Sequence, residues 1–467
     1  MGKATGFMER ERNENPWRSE AERIRDYSSL HLELNPRERQ EQASRCMNCG
    51  VPFCQSDYGC PLHNLIPEWN DLLWRGDERG ALERLLKTAP FPEFTGRVCP
   101  ALCEKACNLA EKGASVNRDN ELYLIEKGYE KGWVRPRIPS ARTGKRVAVA
   151  GSGPSGLAAA DRLNQMGHSV TVFERAEYPG GLLMFGIPNM KLPKSVVSRR
   201  IGLMREEGIV FQTGTEATPE ILKDFDAAVL CGGARKPRTL NVPGENAEGV
   251  RFAVDYLTEA TRSVIGGDIP SVSARDLDVI VVGGGDTGND CVGTAIRQGC
   301  RSLTELEMLP ASPTERAAGN PWPEWPRILR TDYGQEEAIT VFGRDPRIYE
   351  TTVKEILTDA EGKIEAVQTV RVRRTPEGRM EHVPGSEETL PCQLLLIAAG
   401  FTGCDQKTAE SFRLTLGSRG VPETENGSHR IGGKLFTAGD MKTGQSLVVR
   451  AIADGRAAAD EAGIFLK

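Results

Sequence analysis

The sequence predicts an α/β protein in which two similar strand–turn–helix units follow a helical N-terminal segment. A buried-strand pattern, a glycine turn and an alanine-rich helix begin at Arg146, and the same order begins again at Asp278. Seven of the 12 cysteines lie between Cys46 and Cys107, in a charged region with a helical pattern. The 467 residues are too many for one hydrophobic core and indicate roughly three domains. We therefore expect two nested Rossmann-like units behind an N-terminal α-helical domain.

Changes in composition along the chain set the expected domain limits. The helical cysteine-rich domain should span residues 1–145, and the second strand–turn–helix unit should span 246–390. The first unit should be split, with its first part at 146–245 and its second part at 391–467. A Pro/Trp-rich stretch between Pro310 and Arg347 is expected to be irregular.

The cysteine spacing of the first domain predicts metal binding rather than disulfides. The cysteines form two groups, Cys46-x2-Cys49-x4-Cys54-x5-Cys60-Pro61 and Cys99-x3-Cys103-x3-Cys107. Closely spaced cysteines in a reducing compartment more often hold metal, and a proline after a ligand recurs in iron–sulfur proteins. Structural zinc is the alternative, since four-cysteine zinc sites also begin with Cys-x2-Cys. Seven cysteines are one short of two four-cysteine sites, so either metal needs a non-cysteine ligand.

The first strand–turn–helix unit predicts a dinucleotide site. After its first strand the chain reads Gly151-Ser152-Gly153-Pro154-Ser155-Gly156 and then continues as a helix. Glycines permit a tight turn that approaches a pyrophosphate closely, and the helix N-terminus offers free N–H groups to the anion. The next strand ends in Glu174, where a carboxylate accepts the hydroxyl groups of an adenosine ribose.

The second unit repeats this pattern and predicts a second nucleotide. Its turn reads Gly283-Gly284-Gly285-Asp286-Thr287-Gly288, and its second strand leads to Glu307. A carboxylate at Glu307 would accept ribose hydroxyls and repel a 2′-phosphate, which favours NADH. Arg301 and Arg316 are close in sequence and could serve a phosphate, so the choice between NADH and NADPH stays open.

Two such units in one chain, one nested in the other, are typical of reductases that hold FAD and a nicotinamide nucleotide. The C-terminal segment agrees with this interpretation. Gly439 and Asp440 end a strand. In flavoproteins with two dinucleotide sites, an aspartate at this position contacts the ribityl or pyrophosphate part of FAD. Ser446 and Leu447 open the last helix, whose N-terminus would face the flavin pyrimidine, where negative charge collects on reduction. Hydride transfer needs no side-chain acid or base, so no catalytic residue is assigned.

The remaining cysteines indicate how electrons would leave the flavin. A disulfide reductase of this architecture needs a nearby dithiol such as Cys-x-x-Cys. No such pair occurs among the cysteines after residue 108, which are Cys231, Cys291, Cys300, Cys392 and Cys404. The cysteine groups of the first domain are the other route, and this favours iron–sulfur clusters over zinc.

Several longer motifs resemble the small (beta) subunit of glutamate synthase. They are Arg45–Cys54, Cys60–Pro67, Gly96–Pro100, Gly180–Pro188 with its Gly181-Leu182 pair, Gly284–Thr287 and Gly444–Val449. The resemblance extends over essentially the whole chain. The electron-input domains of dihydropyrimidine dehydrogenase and of bifurcating ferredoxin:NADP oxidoreductases share the layout.

The resemblance implies two [4Fe–4S] clusters with crossed ligation. Cys46, Cys49, Cys54 and Cys107 would hold one cluster. The other would have the ligands Cys60, Cys99, Cys103 and a side chain of the following helix, at Glu121 or its rival Glu126. Two departures from the family pattern occur: a longer gap before Cys60, and Met308-Leu309 where many relatives have two arginines. The second departure leaves NADPH use in doubt.

The resemblance also implies an electron-input subunit that oxidises NADH or NADPH at FAD. Its partner would be a large subunit that carries FMN and makes L-glutamate from L-glutamine and 2-oxoglutarate. The alternative is a stand-alone or differently partnered NAD(P)H:acceptor oxidoreductase; a zinc-binding scaffold is the non-enzyme reading. The net charge of −5 and the short apolar runs give no reason to expect nucleic acid or a membrane as partner. We expect a cytoplasmic protein.

Overall fold

The N-terminal region is built from short helices around a small core. The computed structural model describes residues 3–267 and 270–467. Apolar residues one and two turns apart, such as Ile66, Trp69 and Leu73, point into this core and are buried. The helices are α1 (Gly6–Glu9), α2 (Glu20–Arg23), α3 (Pro36–Ala43), α4 (Ile66–Trp74), α5 (Glu78–Leu85), α6 (Pro92–Val98), α7 (Leu102–Lys105) and α8 (Asn117–Glu130).

The first parallel sheet begins directly after this region. Its two central strands, residues 146–150 and 227–230, are short, apolar and mostly buried, as expected where helices cover a parallel sheet. The elements are β1 (Arg146–Ala150), α9 (Pro154–Gln165), β2 (Ser169–Phe173), α10 (Leu182–Phe185), α11 (Lys194–Glu206), β3 (Val210–Gln212), α12 (Pro219–Leu222) and β4 (Ala227–Leu230).

A second parallel sheet is inserted into the first unit, with an antiparallel sheet beside it. Its elements are β5 (Val250–Phe252), α13 (Ala253–Gly266), β6 (Asp278–Val282), α14 (Asp286–Gln298), β7 (Ser302–Glu307), α15 (Tyr333–Phe342), β8 (Arg347–Tyr349) and, after the antiparallel part, β13 (Leu394–Ile397). The antiparallel strands are β9 (Thr351–Thr358), β10 (Ile364–Arg374), β11 (Met380–His382) and β12 (Glu388–Pro391).

The C-terminal segment returns to the first sheet and completes it. It contains α16 (Gln406–Ser411), β14 (Arg430–Gly432), β15 (Leu435–Thr437), α17 (Asp440–Thr443) and α18 (Val448–Phe465). The first sheet has the strand order β14–β15–β4–β1–β2–β3, and the second has the order β5–β13–β6–β7–β8. Helix α18 crosses α9 very closely, because a Cβ added to Gly455 would lie 2.1 Å from the carbonyl oxygen of Ser155.

The predicted fold class is confirmed, while two details differ from expectation. The stretch from Pro310 to Arg347 is not irregular throughout, because it contains α15. Asp332 and Gln335 form a reciprocal capping box at the start of that helix, which offsets its unfavourable surroundings in sequence. Strand β13 pairs with β5 and β6 of the second sheet, although it lies in the 391–467 segment. The domain limits remain a proposal, and this pairing favours moving the last one from residue 390 to beyond Ile397.

Within the described ranges, no helix is both long enough and apolar enough to cross a membrane.

Candidate functional site

The first glycine of each turn has a backbone that only glycine adopts easily. Gly151 has a φ of +102°, and an added Cβ would lie 2.5 Å from the carbonyl oxygen of Cys231. Gly283 has a φ of +118°, and its Cβ would lie 2.5 Å from the carbonyl oxygen of Ala398. Both contacts are far too short for a side chain. Each turn therefore packs directly against the residue that follows a neighbouring strand, Cys231 after β4 or Ala398 after β13.

The other two glycines of each turn have separate roles. An added Cβ at Gly156 or Gly288 would meet the carbonyl oxygen of its own turn's first glycine at 2.0 Å or 1.9 Å. The middle glycines, Gly153 and Gly285, have no protein atom within 4 Å of an added Cβ. Their open side lies at the start of a helix, where a pyrophosphate could approach the backbone N–H groups of α9 or α14.

The two strand-end acids occupy equivalent positions. Oε2 of Glu174 accepts the backbone N–H of Ser152 at 3.1 Å, and Oε1 accepts the N–H of Ala176 at 2.9 Å. Oε2 of Glu307 accepts the N–H of Gly284 at 3.1 Å, and Oε1 accepts the N–H of Leu309 at 3.0 Å. Each carboxylate is therefore held beside its glycine turn, and its role as a ribose acceptor stays a prediction.

A cavity of about 530 Å³ joins the two units. This volume is typical of sites for small molecules and cofactors. Thr287 at the start of α14 lines the cavity together with residues of the first unit, whereas Gly283, Gly285, Asp286 and Glu307 do not line it. The predicted residues that line it are Gly151, Gly153, Pro154, Ser155, Glu174, Gly181, Leu182, Thr287, Asp440 and Ser446.

The C-terminal turn supports this cavity from one side. Gly439 lies behind the lining, since an added Cβ would meet Oγ of Ser155 at 2.4 Å. Burial raises the pKa of Asp440 to about 6, and the hydroxyl of Ser446 donates to its carboxylate at 2.9 Å. Leu447 is the N-cap residue of α18. The first turn of that helix therefore faces the cavity, as the sequence predicted.

Two further polar residues line the cavity and were not identified in the sequence. Arg235 follows β4 and faces the cavity, and burial there lowers the pKa of its guanidinium. Gln445 accepts the backbone N–H of Phe401 at 2.9 Å and so joins the two units at the cavity wall. The run Cys231-Gly232-Gly233-Ala234-Arg235 after a buried strand was the available signal for Arg235.

Four candidate ligands line a second cavity in the N-terminal domain. These residues, which we call the inner set, are Cys60, Cys99, Cys103 and Glu121. Burial raises the pKa of Cys99 to about 12 and that of Glu121 to about 7, and the Glu121 carboxylate also accepts the hydroxyl of Thr95. The rival, Glu126, instead binds Arg97 and Arg199 at 2.9 and 2.7 Å. Glu121 therefore lies with the three cysteines, whereas Glu126 is paired with two arginines; which of them is the fourth ligand stays a prediction.

The other four cysteines, which we call the outer set, are also neighbours. They are Cys46, Cys49, Cys54 and Cys107. The pKa of Cys54 is raised by burial first and then by the charges of the other three thiols, which places all four close together. Cys49 is exposed, and its sulfur accepts a hydrogen bond from the Asn108 side chain at 3.1 Å. The crossed grouping implied by the resemblance stays a prediction, because the charge of Cys54 also acts on the pKa of Cys103 in the inner set.

The donor chemistry of both sets suits iron–sulfur clusters, which are held mainly by thiolates. In residues 3–267 and 270–467, no three histidine, cysteine or carboxylate side chains converge as for a single metal ion. The inner set instead lines a small cavity.

The start of α18 connects the inner set with the large cavity. Val449 lines the cavity of the inner set, while Val448 and Ala451 line the large cavity. A single helical turn thus separates the two spaces.

The two arginines considered for a 2′-phosphate are engaged elsewhere. Arg301 makes a paired contact with Asp278 at 2.6 and 3.0 Å. Arg316 donates to the carbonyl oxygens of Asn320 and Glu324 at 3.1 and 2.8 Å. Met308 and Leu309, beside Glu307, are exposed.

Fold and site together define a class: pyridine nucleotide-dependent oxidoreductases with two dinucleotide-binding units and an iron–sulfur domain. The family described as pyridine nucleotide-disulphide oxidoreductase matches residues 145–455. The family described as dihydropyrimidine dehydrogenase domain II, 4Fe-4S cluster, matches residues 23–133. The structure of FprA from Mycobacterium tuberculosis in complex with NADPH is similar in fold, with a TM-score of 0.54 over 68% of this chain and 83% of that one, at 18% identity.

Relatives identify the particular family. The glutamate synthase [NADPH] small chain of Bacillus subtilis is 46% identical over 100% of this chain and 99% of its own length. The glutamate synthase [NADH] of Schizosaccharomyces pombe is 43% identical over 99% of this chain, which corresponds to 23% of that much longer protein. The chain belongs to the glutamate synthase small-chain family. It is an NAD(P)H-dependent oxidoreductase with an electron-input role.

Proposed function

We propose that this chain binds FAD, a nicotinamide nucleotide and two [4Fe–4S] clusters, and delivers electrons to a large, FMN-containing glutamate synthase subunit. That subunit would make L-glutamate from L-glutamine and 2-oxoglutarate. When bound, these groups would supply hydride acceptance at the flavin and one-electron transfer through the clusters. The observation that carries the proposal is the first turn of α18, which lines both the large cavity and the cavity of the inner set.

The residues around the large cavity would bind and orient the two nucleotides. In the proposal, the Gly151–Gly156 turn and Glu174 hold FAD, while the Gly283–Gly288 turn and Glu307 hold the nicotinamide nucleotide. The open side of Gly153 and of Gly285 supports this assignment, because each leaves room for a pyrophosphate at a helix N-terminus. The meeting of both units at one cavity supports direct contact between the two bound rings.

The two cysteine sets would form a path toward the surface. The inner set, with Glu121 as its fourth ligand, lies next to the large cavity through Val449. The outer set includes the exposed Cys49, beside which Val51 is 65% exposed. Tyr58, on the same loop, is 53% exposed. We place the contact with the large subunit at this apolar loop, because exposed aromatic and aliphatic side chains are typical of interface centres.

The relatives support a large partner. In the S. pombe protein the homologous region occupies less than a quarter of one polypeptide, so that protein contains this unit together with other parts. The B. subtilis relative is a small chain that matches this one over 99% of its own length. A partner on a separate chain is therefore consistent with both.

The test is reconstitution under anaerobic conditions. The chain and the large subunit are purified together, and glutamate formation from glutamine and 2-oxoglutarate is measured with NADPH and with NADH. We expect glutamate formation to require both chains, whereas reduction of a dye by the nucleotide requires this chain alone. Absence of flavin and iron from the purified chain would contradict the proposal. Full turnover with a small acceptor and no complex with the large subunit would favour the stand-alone oxidoreductase instead.

A further inference from the structure

A segment of the second unit reaches across to the outer set of cysteines. This segment, residues 310–332, which we call the Trp arm, connects the end of β7 with the start of α15. It therefore begins three residues after Glu307, at the predicted nucleotide site, and its middle contacts the N-terminal domain. Neither nucleotide binding nor the ligand sets explain this excursion.

Trp322 makes the contact, and it does so at two cysteine-bearing loops. Its indole N–H donates to the backbone carbonyl oxygen of Cys107 at 3.2 Å. Its ring lies on Phe53, with the ring centroids 4.8 Å apart and the planes tilted by 55°. Phe53 immediately precedes Cys54, so the indole touches the backbone of one member of the outer set and the neighbour of another.

The Trp arm holds Trp322 in a defined position. The buried Asn320 side chain accepts the backbone N–H of Arg327 at 2.8 Å and donates to the carbonyl oxygen of Trp325 at 3.0 Å. The guanidinium of Arg316 bridges the carbonyl oxygens on either side of Trp322, those of Asn320 and Glu324. These bonds close a compact loop, so the indole is presented by a structured element.

We propose that Trp322 is a positioning residue for the outer set: it fixes the Cys107 backbone and covers the side of the set that faces the second unit. This inference rests on the proposed function, since it concerns the environment of a cluster held by these four cysteines. The Trp arm leaves the side of Cys49 exposed, so electrons would exit there and water would have access from that side.

Physical chemistry links such a cover to two measurable properties. The reduction potential of an iron–sulfur cluster depends on solvent exposure and on hydrogen bonding around its ligands. The apolar shell around a metal site also controls access of solvent and of small oxidants. Removal of the indole should therefore shift the potential of the outer cluster and speed its loss in air. The inner cluster, lined by other residues, should be unaffected.

The experiment uses the loaded full-length chain and three variants. Trp322→Ala removes the cover, Trp322→Phe keeps an aromatic ring but loses the N–H donor, and Trp325→Phe is the matched control. Trp325 lies in the same arm but stacks on Arg330, at 4.0 Å from its ring centroid. The readouts are EPR-monitored redox titration of each cluster and the rate of iron loss in air, with flavin content measured in parallel.

We expect Trp322→Ala to shift the potential of the outer cluster alone and to lose iron several-fold faster, with Trp322→Phe between it and the native chain. Trp325→Phe should match the native chain. If Trp322→Ala does not retain iron, Trp322→Phe against Trp325→Phe decides the question. Unchanged potentials and iron loss in the Trp322 variants, or equal changes in Trp325→Phe, would overturn the inference. Absence of iron from the native chain would instead refute the proposed function.

Discussion

At the scale of single residues, the two strand-end glutamates make equivalent hydrogen bonds in the two units. Glu174 and Glu307 each accept one N–H from the glycine turn and one from the residue two positions further along the chain. These bonds orient the carboxylate before a nucleotide binds, so little entropy remains to be lost on binding. The neighbours differ, because Glu174 is buried whereas Glu307 stands beside the exposed Met308 and Leu309.

Removal of the Glu174 carboxylate should weaken retention of FAD. We expect Glu174→Ala to lose two ribose hydrogen bonds to a charged acceptor, each worth roughly 1.5–3 kcal/mol. The dissociation constant of FAD for the apoprotein, followed by flavin fluorescence, measures the loss. Glu220→Ala, an exposed site on α12 that contacts Lys223, is the control. A Glu174→Ala protein that purifies with full FAD content and native affinity would refute the assignment.

Neutralisation of Glu307 should change the preference between the two nicotinamide nucleotides. The native carboxylate would repel a 2′-phosphate, and neither Arg301 nor Arg316 is free to attract one, since both bind other groups. We expect Glu307→Gln to improve use of NADPH relative to NADH by about tenfold, equivalent to ~1.4 kcal/mol. The ratio of kcat/KM for the two nucleotides checks this, with the exposed Glu315→Gln as a control of equal charge change. An unchanged ratio would show that Glu307 does not contact the ribose.

At the scale of elements, a buried ion pair ties the N-terminal domain to the first unit. Arg200 on α11 binds the carboxylate of Glu93 on α6, with one N–O distance of 3.1 Å, and the two side chains are 2% and 0% exposed. Tyr129 on α8 donates to the same carboxylate at 3.1 Å. The contact thus joins the helix that leads into Cys99 with a helix of the first unit.

Loss of the Arg200 guanidinium should destabilise this junction strongly. Arg200→Ala leaves Glu93 buried without its cation, which typically costs about 3–5 kcal/mol. The control, Arg79→Ala, removes an exposed pair with Glu83 on α5 and should cost at most about 0.5 kcal/mol. Urea unfolding followed by circular dichroism compares the two variants. Equal midpoints for Arg200→Ala and Arg79→Ala would show that the junction contributes little.

A histidine between two carboxylates should make the packing of α18 depend on pH. The ring nitrogens of His429 lie 2.9 Å from Asp454 and 2.7 Å from Glu461, and although burial opposes protonation, these hydrogen bonds leave its pKa raised. A raised folded-state pKa stabilises the fold fully below the ordinary value of about 6.5. That contribution is lost as the pH rises through the folded pKa. We expect the Tm to fall over this range in the native chain and to fall less in His429→Gln. Parallel Tm profiles would refute this role.

The repeated units were predictable from sequence, whereas the elements between them were not. Each strand, glycine turn, helix and terminal acid follows from local residue types, as at Gly151 and Glu174. Helix α15 was missed because the Pro/Trp-rich stretch before it favours irregular structure. The start of the helix is marked by the Asp332 capping box, which is a contact between side chains and backbone. The placement of β13 depends on pairing with strands more than a hundred residues away, which local pattern does not encode. Arg235 was missed although the glycine-containing run before it is visible in the sequence, because only the folded cavity shows that its side chain faces a ligand space.

At the scale of the whole molecule, the order of the sites gives the proposed electron path a direction. The large cavity, the inner set and the outer set follow one another, with α18 at the first junction and the exposed Cys49 at the far end. Each sequence group of cysteines contributes to both sets. Cys60 belongs to the first group in the sequence but to the inner set, and Cys107 belongs to the second group but to the outer set. Loss of either set should therefore interrupt the path without disturbing nucleotide binding.

Replacement of one cysteine from each set should remove different clusters. After burial, the charges of Cys46, Cys49 and Cys107 raise the pKa of Cys54. The pKa of Cys99 is raised by burial and then by the charges of Glu121 and Cys60. We expect Cys46→Ser and Cys60→Ser to lose different EPR signals in the reduced protein.

Cys300→Ser is the control, because Cys300 packs against the core of the second unit and belongs to neither set. Both set variants should still reduce a dye with NADPH or NADH, since electrons can leave directly from the flavin. Neither should support glutamate formation with the large subunit, because each variant would lack one cluster of the proposed electron path. If both variants lost the same signal, Cys46 and Cys60 would bind the same cluster, and the assignment of the crossed ligand sets would be wrong.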